Sequence, residues 1–235
     1  MIKTLLYFVM LAVPLCAVAE EIYDPLESVN RKIFWFNDKF DGYLLEPVAR
    51  VYDKITPQLV QNGVDNVFEN LSYPRYLLSD LVQFKFGQAL SHTGRFVINT
   101  TVGIAGIIDV AENVGLEKHK EDFGITLAYH GVPPGPYLVL PFLGPSNLRD
   151  FVGRGVDYLV TPQYLLTYAD MHWQEEWAIA GGITALDFVR TRVDLFEAVD
   201  AGKEAALDLY LFTQSAYYQY RKGVLYDGEV PEEEE

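Results

Sequence analysis

Residues 123–150 read FGITLAYHGVPPGPYLVLPFLGPSNLRD and constrain the chain more than any other stretch. Five of the twelve prolines fall here, Pro133, Pro134, Pro136, Pro141 and Pro145, together with Gly124, Gly131, Gly135 and Gly144. Proline fixes φ and lacks an N–H, and glycine tolerates left-handed φ, so no continuous helix is expected across the stretch. Yet Tyr137, Leu138, Val139, Leu140, Phe142 and Leu143 are apolar and call for burial. A long, apolar, irregular segment is uncommon in a compact domain and usually carries function. At membrane depth such backbone must be held by other elements or line a cavity. The rest of the chain is therefore expected to form a helical frame around it.

The flanks read as helices. Asp24 is the expected N-cap of the first, with Pro25 in its first turn and Glu27 completing a capping box. Leu26, Val29, Ile33, Phe36 and Phe40 form one apolar stripe, and Gly42 is the expected end. A second helix is expected near Pro47 and a third from Pro57, with Val60, Val64, Val67 and Leu71 on one face. Pro74 breaks it, and a further piece covers Tyr76 to Phe86. Residues 95–111 read as a buried helix ending in a turn, or as a pore-lining helix. Gly103 and Gly106 there permit close approach. Ser146 is the expected cap of a helix running past Asp157. Ile179, Ile183, Leu186, Val189, Val193 and Phe196 predict an amphipathic helix, and a last helix carries Tyr210, Gln214, Tyr217 and Tyr218. No strand ladder is expected beyond a short extended piece at Tyr137 to Leu140. The expected fold class is mainly α, in a single domain over residues 20–228.

Charge narrows the partners. A formal net charge of −15 argues against nucleic acid, which is bound through clustered Lys and Arg, and against electrostatic capture by anionic lipid headgroups, which needs polybasic segments. Any membrane contact must come from apolar burial, and the 14% aromatic content suits an interface. At the N-terminus, Lys3, the apolar run Leu5 to Val13 and Ala17-Val18-Ala19 read as a signal peptide, residues 1–19, cleaved between Ala19 and Glu20. The only cysteine, Cys16, lies inside it, so no disulfide is expected in the exported chain. Residues 229–235 read as an acidic disordered tail.

No catalytic constellation is specific. There is no G-x-S-x-G elbow, no H-E-x-x-H and no paired-cysteine metal site, and the four histidines are scattered. Arg149-Asp150 with Asp157 could form an acid–base set, but at helical spacing a salt-bridged or solvated face is the better reading. No enzyme activity, cofactor or metal is expected.

Several motifs together resemble the MlaA (VacJ) family. They are Asp24-Pro-Leu-Glu-Ser-Val-Asn30-Arg31 with Phe36-Asn37-Asp38; Asn66 to Pro74; Arg95-Phe-Val-Ile-Asn99-Thr100 followed by Gly103, Gly106 and Asp109-Val-Ala111; and most of the block from Phe123 to Asp150. The resemblance implies a helical ring with a central amphipathic channel, seated in the inner leaflet of a Gram-negative outer membrane. It implies removal of phospholipid mislocalised in the outer leaflet, handed to a soluble periplasmic carrier (MlaC-like), alongside a trimeric porin. On that basis the candidate channel residues are Arg95, Asn99, Gly103, Gly106, Asp109, Gly131, Gly135, Arg149, Asp150 and Asp157. The candidate membrane-interface residues are Phe34, Trp35 and Phe36. Family members are often lipoproteins, with a small residue before the acylated cysteine. Here bulky Leu15 precedes Cys16, so an unlipidated mature chain is expected. The competing reading is a soluble periplasmic binding or scaffold protein; a third is a hydrolase using Asp150 or Asp157.

Overall fold

Two asparagines seven residues apart organise the middle of the molecule. In the computed structural model, which describes residues 22–161, Tyr164 and 172–230, the first helix α1 spans Glu27–Phe40. A seven-residue step returns to one face of a helix, so Asn30 and Asn37 point the same way. Both meet a hairpin of two antiparallel strands, β1 (Tyr137–Leu140) and β2 (Gly144–Asn147). The Asn30 amide donates to the Tyr137 carbonyl at 2.9 Å and accepts from the Val139 N–H at 3.0 Å. Asn37 repeats the pattern with the Leu140 carbonyl at 2.9 Å and the Phe142 N–H at 2.8 Å. The Tyr137 N–H reaches the Tyr23 carbonyl. The outer edge of β1 is thereby satisfied without a third strand, as a buried backbone requires.

The other elements follow from this centre. A π-helical turn, Asp41–Leu45, joins α1 to α2 (Glu46–Ile55), so Gly42 does not end the first helix; the backbone runs on through it. Next come α3 (Gln58–Leu71), α4 (Tyr73–Val82) and α5 (Phe86–Thr101). Pro57 precedes α3, and Pro74 sits in the first turn of α4, where a missing N–H costs nothing. A short helix α6 (Val110–Asn113) leads to α7 (Phe123–Tyr129), the hairpin and α8 (Leu148–Leu159). The chain closes with α9 (Trp173–Asp194), α10 (Phe196–Ala205) and α11 (Leu209–Leu225). The fold is mainly helical, in one domain, and no helix among the described residues is long and apolar enough to cross a membrane. Residues 1–21, with the proposed cleavage at Ala19–Glu20, and residues 231–235 of the acidic tail lie outside the described residues.

Several expectations are corrected. The Phe123–Asp150 stretch holds no continuous helix, as expected, but it opens with the short helix α7, and the hairpin follows Pro133, Pro134 and Pro136. Ser146 is not a cap: it lies in β2, and Asn147 caps α8 by accepting from the Asp150 N–H at 2.8 Å. Asp24 is not a cap either; it accepts from Asn30 at 2.8 Å and from the Tyr210 hydroxyl. Of the α1 stripe, Leu26, Val29 and Phe36 are exposed.

Gly124 explains how α7 and α8 come so close. A Cβ on Gly153 of α8 would lie 2.3 Å from the Gly124 nitrogen and 2.6 Å from its Cα. Backbone cannot yield as a flexible side chain does. Gly153→Ala is expected to destabilise the fold by about 1–3 kcal/mol, the usual range for overpacking, seen as a lower melting temperature in detergent.

Polarity is inverted relative to a water-soluble domain. Among the described residues, sixteen polar or charged residues are buried against nine hydrophobic ones. The exterior carries Trp35, Tyr43, Leu59, Phe84, Phe86, Leu90, Trp173 and Trp177, each more than half exposed. The small apolar core is largely tyrosine: Tyr137, Tyr210 and Tyr217 with Val139. Phe34, nominated for the membrane interface, instead packs edge-on against Tyr210, 5.6 Å between centroids. Trp35 is exposed as expected, and Phe36 is exposed but leans on Phe142.

Candidate functional site: two buried polar knots

The first knot gathers Arg95, Asn99 and Asp109. Arg95 and Asn99 lie four residues apart on α5, one turn, and both face Asp109, which caps α6. Arg95 Nη2 donates to Asp109 Oδ2 at 2.6 Å and Asn99 Nδ2 to Oδ1 at 3.0 Å; Lys118 Nζ approaches Oδ2 at 2.8 Å. Burial opposes charge on Asp109, but the hydrogen bonds from Lys118, Asn99 and Arg95 and from the Glu112 N–H outweigh it and hold the carboxyl at about 2. Two cations therefore share one carboxylate.

Gly103 and Gly106 sit in the loop between Arg95–Asn99 and Asp109. Ile104 and Ala105 have positive φ, 54° and 56°, and Gly106 has +92° with the Asn70 side chain against it. A Cβ on Gly103 would meet the Ile108 carbonyl oxygen at 2.2 Å. Both glycines are buried beneath exposed Val102, Ile104, Ile107 and Ile108. They serve the turn, and neither is among the residues lining the cavity beside the knot.

The cavity beside this knot is small. Arg95, Asn99 and Asp109 line it with Asn66, Asn70, Tyr73, His92 and Lys118, and its volume is about 30 Å3. That is room for roughly two waters. His92, missed in the sequence, is buried beside it, with Nδ1 2.6 Å from Asp80 Oδ2 and Nε2 3.1 Å from the His119 carbonyl. Its spacing from Asp80, one helix away, left no local signal.

The second knot gathers Arg149 and Asp150. Asp150 Oδ1 accepts from Arg149 Nε at 2.9 Å; Oδ2 accepts from the Tyr217 hydroxyl and from Asn147 Nδ2 at 3.0 Å. Arg221 Nε lies 2.9 Å from Oδ2, a charge contact whose angle is poor for a hydrogen bond. Arg221 also donates to Asp122 at 2.9 Å. Tyr217 and Arg221 of α11 carried no motif, because their partners lie 67 and 99 residues away.

Asp157 stands next to this knot and accepts from the Phe123 N–H at 3.1 and 3.3 Å. Burial pushes it up to about 6; Arg75 opposes the shift and Asp122 adds to it. The folded state therefore binds more protons than the unfolded state between its ordinary 3.8 and about 6. Stability falls as pH rises through that window, by on the order of 3 kcal/mol in total. Asp157→Asn keeps an acceptor for Phe123 and is expected to flatten that fall in melting temperature measured from pH 4 to 7.

Gly131 and Gly135 occupy left-handed turns, φ +80° and +67°, before the hairpin. Nothing lies near Gly131, and a Cβ on Gly135 would touch Leu148. Of the ten nominated residues, five therefore fall in the two knots, Asp157 beside the second, and the four glycines in turns. No group of three or more His, Cys, Asp or Glu among the described residues could hold a metal.

Comparison with known proteins supplies the frame. A family model described as MlaA lipoprotein matches residues 22–223. The "Intermembrane phospholipid transport system lipoprotein MlaA" of Shigella flexneri is 34% identical over 215 residues, 90% of this chain and 82% of that protein. The protein of the same name from Haemophilus influenzae is 30% identical over 220 residues, 90% of this chain and 83% of its own length. An uncharacterized protein of Rickettsia typhi is 34% identical over 203 residues, 86% of this chain and 78% of its own. A solved chain from work on "Structural basis for maintenance of bacterial outer membrane lipid asymmetry" superposes with a TM-score of 0.73 at 30% identity, covering 86% of this chain and 98% of that one.

Proposed function

The chain belongs to the MlaA lipoprotein family, and from that premise we propose that it removes mislocalised phospholipid from the outer leaflet of a Gram-negative outer membrane. The lipid passes through a channel within the helical ring to a periplasmic, MlaC-like carrier, and the ring sits in the inner leaflet beside a trimeric porin. No covalent chemistry is needed, and neither polar knot presents a nucleophile beside a base.

The inverted polarity carries this reading. A soluble protein rarely leaves large contiguous apolar surface in water, and it does not fill its interior with charge without cause. A protein bathed in acyl chains has the opposite requirement. Its outside must be apolar, and its polar groups must be paired inside, since each unpaired one costs several kcal/mol. Trp35, Phe84, Phe86, Leu90, Trp173 and Trp177 outside, with Asn30, Glu121 and Asp150 buried and hydrogen-bonded inside, meet both requirements. The soluble-scaffold reading would leave that exterior in water. Deleting the gene is expected to raise the phospholipid exposed on the cell surface, and the wild-type gene to restore it, with the lipid recovered intact. Unchanged exposure after deletion would sink the proposal.

The anchor is a separate question. The relatives' names include the word lipoprotein, whereas Leu15 before Cys16 fits acylation badly and Ala17-Val18-Ala19 fits ordinary cleavage. The expected mature mass is that of an unmodified chain beginning at Glu20, held by its aromatic exterior at about 25 cal/mol per Å2 of buried apolar area. A mass corresponding to a diacylated Cys16 would replace this reading.

A further inference from the structure

In a chain of net charge −15, the run Lys118-His119-Lys120 stands apart. It lies in the irregular segment between α6 and α7, and it separates two hollows. Lys118 and His119 line the small polar cavity on one side. On the other side, Lys118, His119 and Lys120 line an open groove of about 400 Å3 whose opposite wall is Tyr220 and Val224 of α11 with Asp227 beyond. The groove is large enough for a headgroup, which the cavity is not.

Two lysines place positive charge along one wall of the groove. Arg95 and Lys118 converge on the single carboxylate of Asp109, which leaves one positive charge in excess there. Lys120 is exposed and makes no ion pair among the described residues; Asp194 feels its charge only from further off. Two carboxylates lie near: Asp227 is 3.5 Å from His119 Nδ1 and from Lys85 Nζ, whose nearer partner is Glu121 at 2.8 Å, and Glu117 is 3.9 Å from His119 Nε2, so it is Lys118 and Lys120 that bring positive charge to the groove. Beside the cations, the exposed ring of Tyr220 and the Val224 side chain offer an apolar wall. Cation and apolar wall together match a phosphodiester joined to the start of its acyl chains.

We propose that this groove binds the phosphate of a phospholipid headgroup, with Lys118 and Lys120 as its ligands and Tyr220 and Val224 against the glycerol and first methylenes. The proposal rests on the phospholipid reading above and names the place where the lipid is held. Salt should weaken the contact, because both ammonium groups are solvent-exposed.

The test titrates the full mature chain, held in amphipol, with dihexanoylphosphatidylglycerol, dihexanoylglycerol and inorganic phosphate by calorimetry. Lys120→Glu carries the decision, with Lys32→Glu as an exposed charge reversal elsewhere. The wild type and Lys32→Glu are expected to bind the phospholipid alike, Lys120→Glu about tenfold more weakly, as for loss of one charged contact. Dihexanoylglycerol should not bind, and inorganic phosphate should bind far more weakly than the lipid. Equal affinity of Lys120→Glu and wild type would overturn the groove and leave the transport reading standing. Inorganic phosphate binding as tightly as the lipid would make this a free-phosphate site and overturn the headgroup assignment. Failure of the wild type to bind any phospholipid would remove both.

Discussion

Asp150→Ala is expected to destabilise the protein by about 3–5 kcal/mol, the usual cost of removing one partner from a buried charge cluster. Asp150 is 4% exposed and is shared by Arg149, Arg221, Tyr217 and Asn147. The loss is not one hydrogen bond. It leaves two guanidinium groups and a buried hydroxyl facing space that a methyl cannot fill with charge. Tyr217 and Arg221 belong to α11, so the carboxylate also ties the last helix to α8. Asp150→Asn keeps the shape and removes the charge, and a smaller loss is expected. Thermal unfolding of the purified chain in detergent, followed by circular dichroism, reads both variants. A hydrolase that used Asp150 as its acid or base would behave differently: the asparagine variant would keep its melting temperature and lose only turnover. An unchanged melting temperature for Asp150→Ala would therefore overturn the structural role assigned to the knot.

The same contrast explains what was legible in the sequence. The Gly/Pro-rich apolar stretch announced a segment that other elements must hold, and α1 does hold it through Asn30 and Asn37. The Arg95–Asn99 pair, one helical turn apart, and Asp109 beyond a glycine turn were nominated together and do meet. Of the hairpin, β1 was legible as the extended piece Tyr137 to Leu140, but its partner β2 was not. The latter is Gly-Pro-Ser-Asn, with no alternating pattern, and the outer edge of β1 is satisfied by side chains from a helix over a hundred residues away. Apolar periodicity also misled. Of the stripe Leu26, Val29, Ile33, Phe36 and Phe40, Ile33 packs against the core and Phe40 is half-buried, whereas Leu26, Val29 and Phe36 face outward and the polar Asn30 beside them is buried. Period marks a face but does not say which solvent that face meets. Arg192 makes the point again: it is buried between Asp41, at 2.6 Å, and Glu46, at 3.3 Å, roughly 150 residues earlier, and closes α9 onto the π-helical turn. The break expected at Gly42 was drawn for an isolated helix, and that long-range pairing overrides it.

Asp109→Ala is the second large expected loss, again about 3–5 kcal/mol, because it leaves Arg95, which is 8% exposed, without its carboxylate and removes the cap of α6. Its pH signature separates it from Asp150. A carboxyl held at about 2 when folded, against an ordinary 3.8, contributes stability that is fully present above 3.8 and is lost as pH falls through about 2. The shift corresponds to on the order of 2 kcal/mol. Asp157 acts in the opposite sense, since its raised value removes stability as pH rises from 3.8 to about 6. The two carboxyls together put a local stability maximum near pH 4. Asp109→Ala is expected to shallow the acid-side slope, to which Asp122 also contributes, and to leave the neutral-side slope, while Asp157→Asn shallows the neutral side, to which Glu121 also contributes. Melting temperatures from pH 2.5 to 7 for both variants check the assignment. An acid-side slope unchanged by Asp109→Ala would mean that other carboxyls carry all of it, and that Lys118 and Arg95 do not hold Asp109 as the geometry implies.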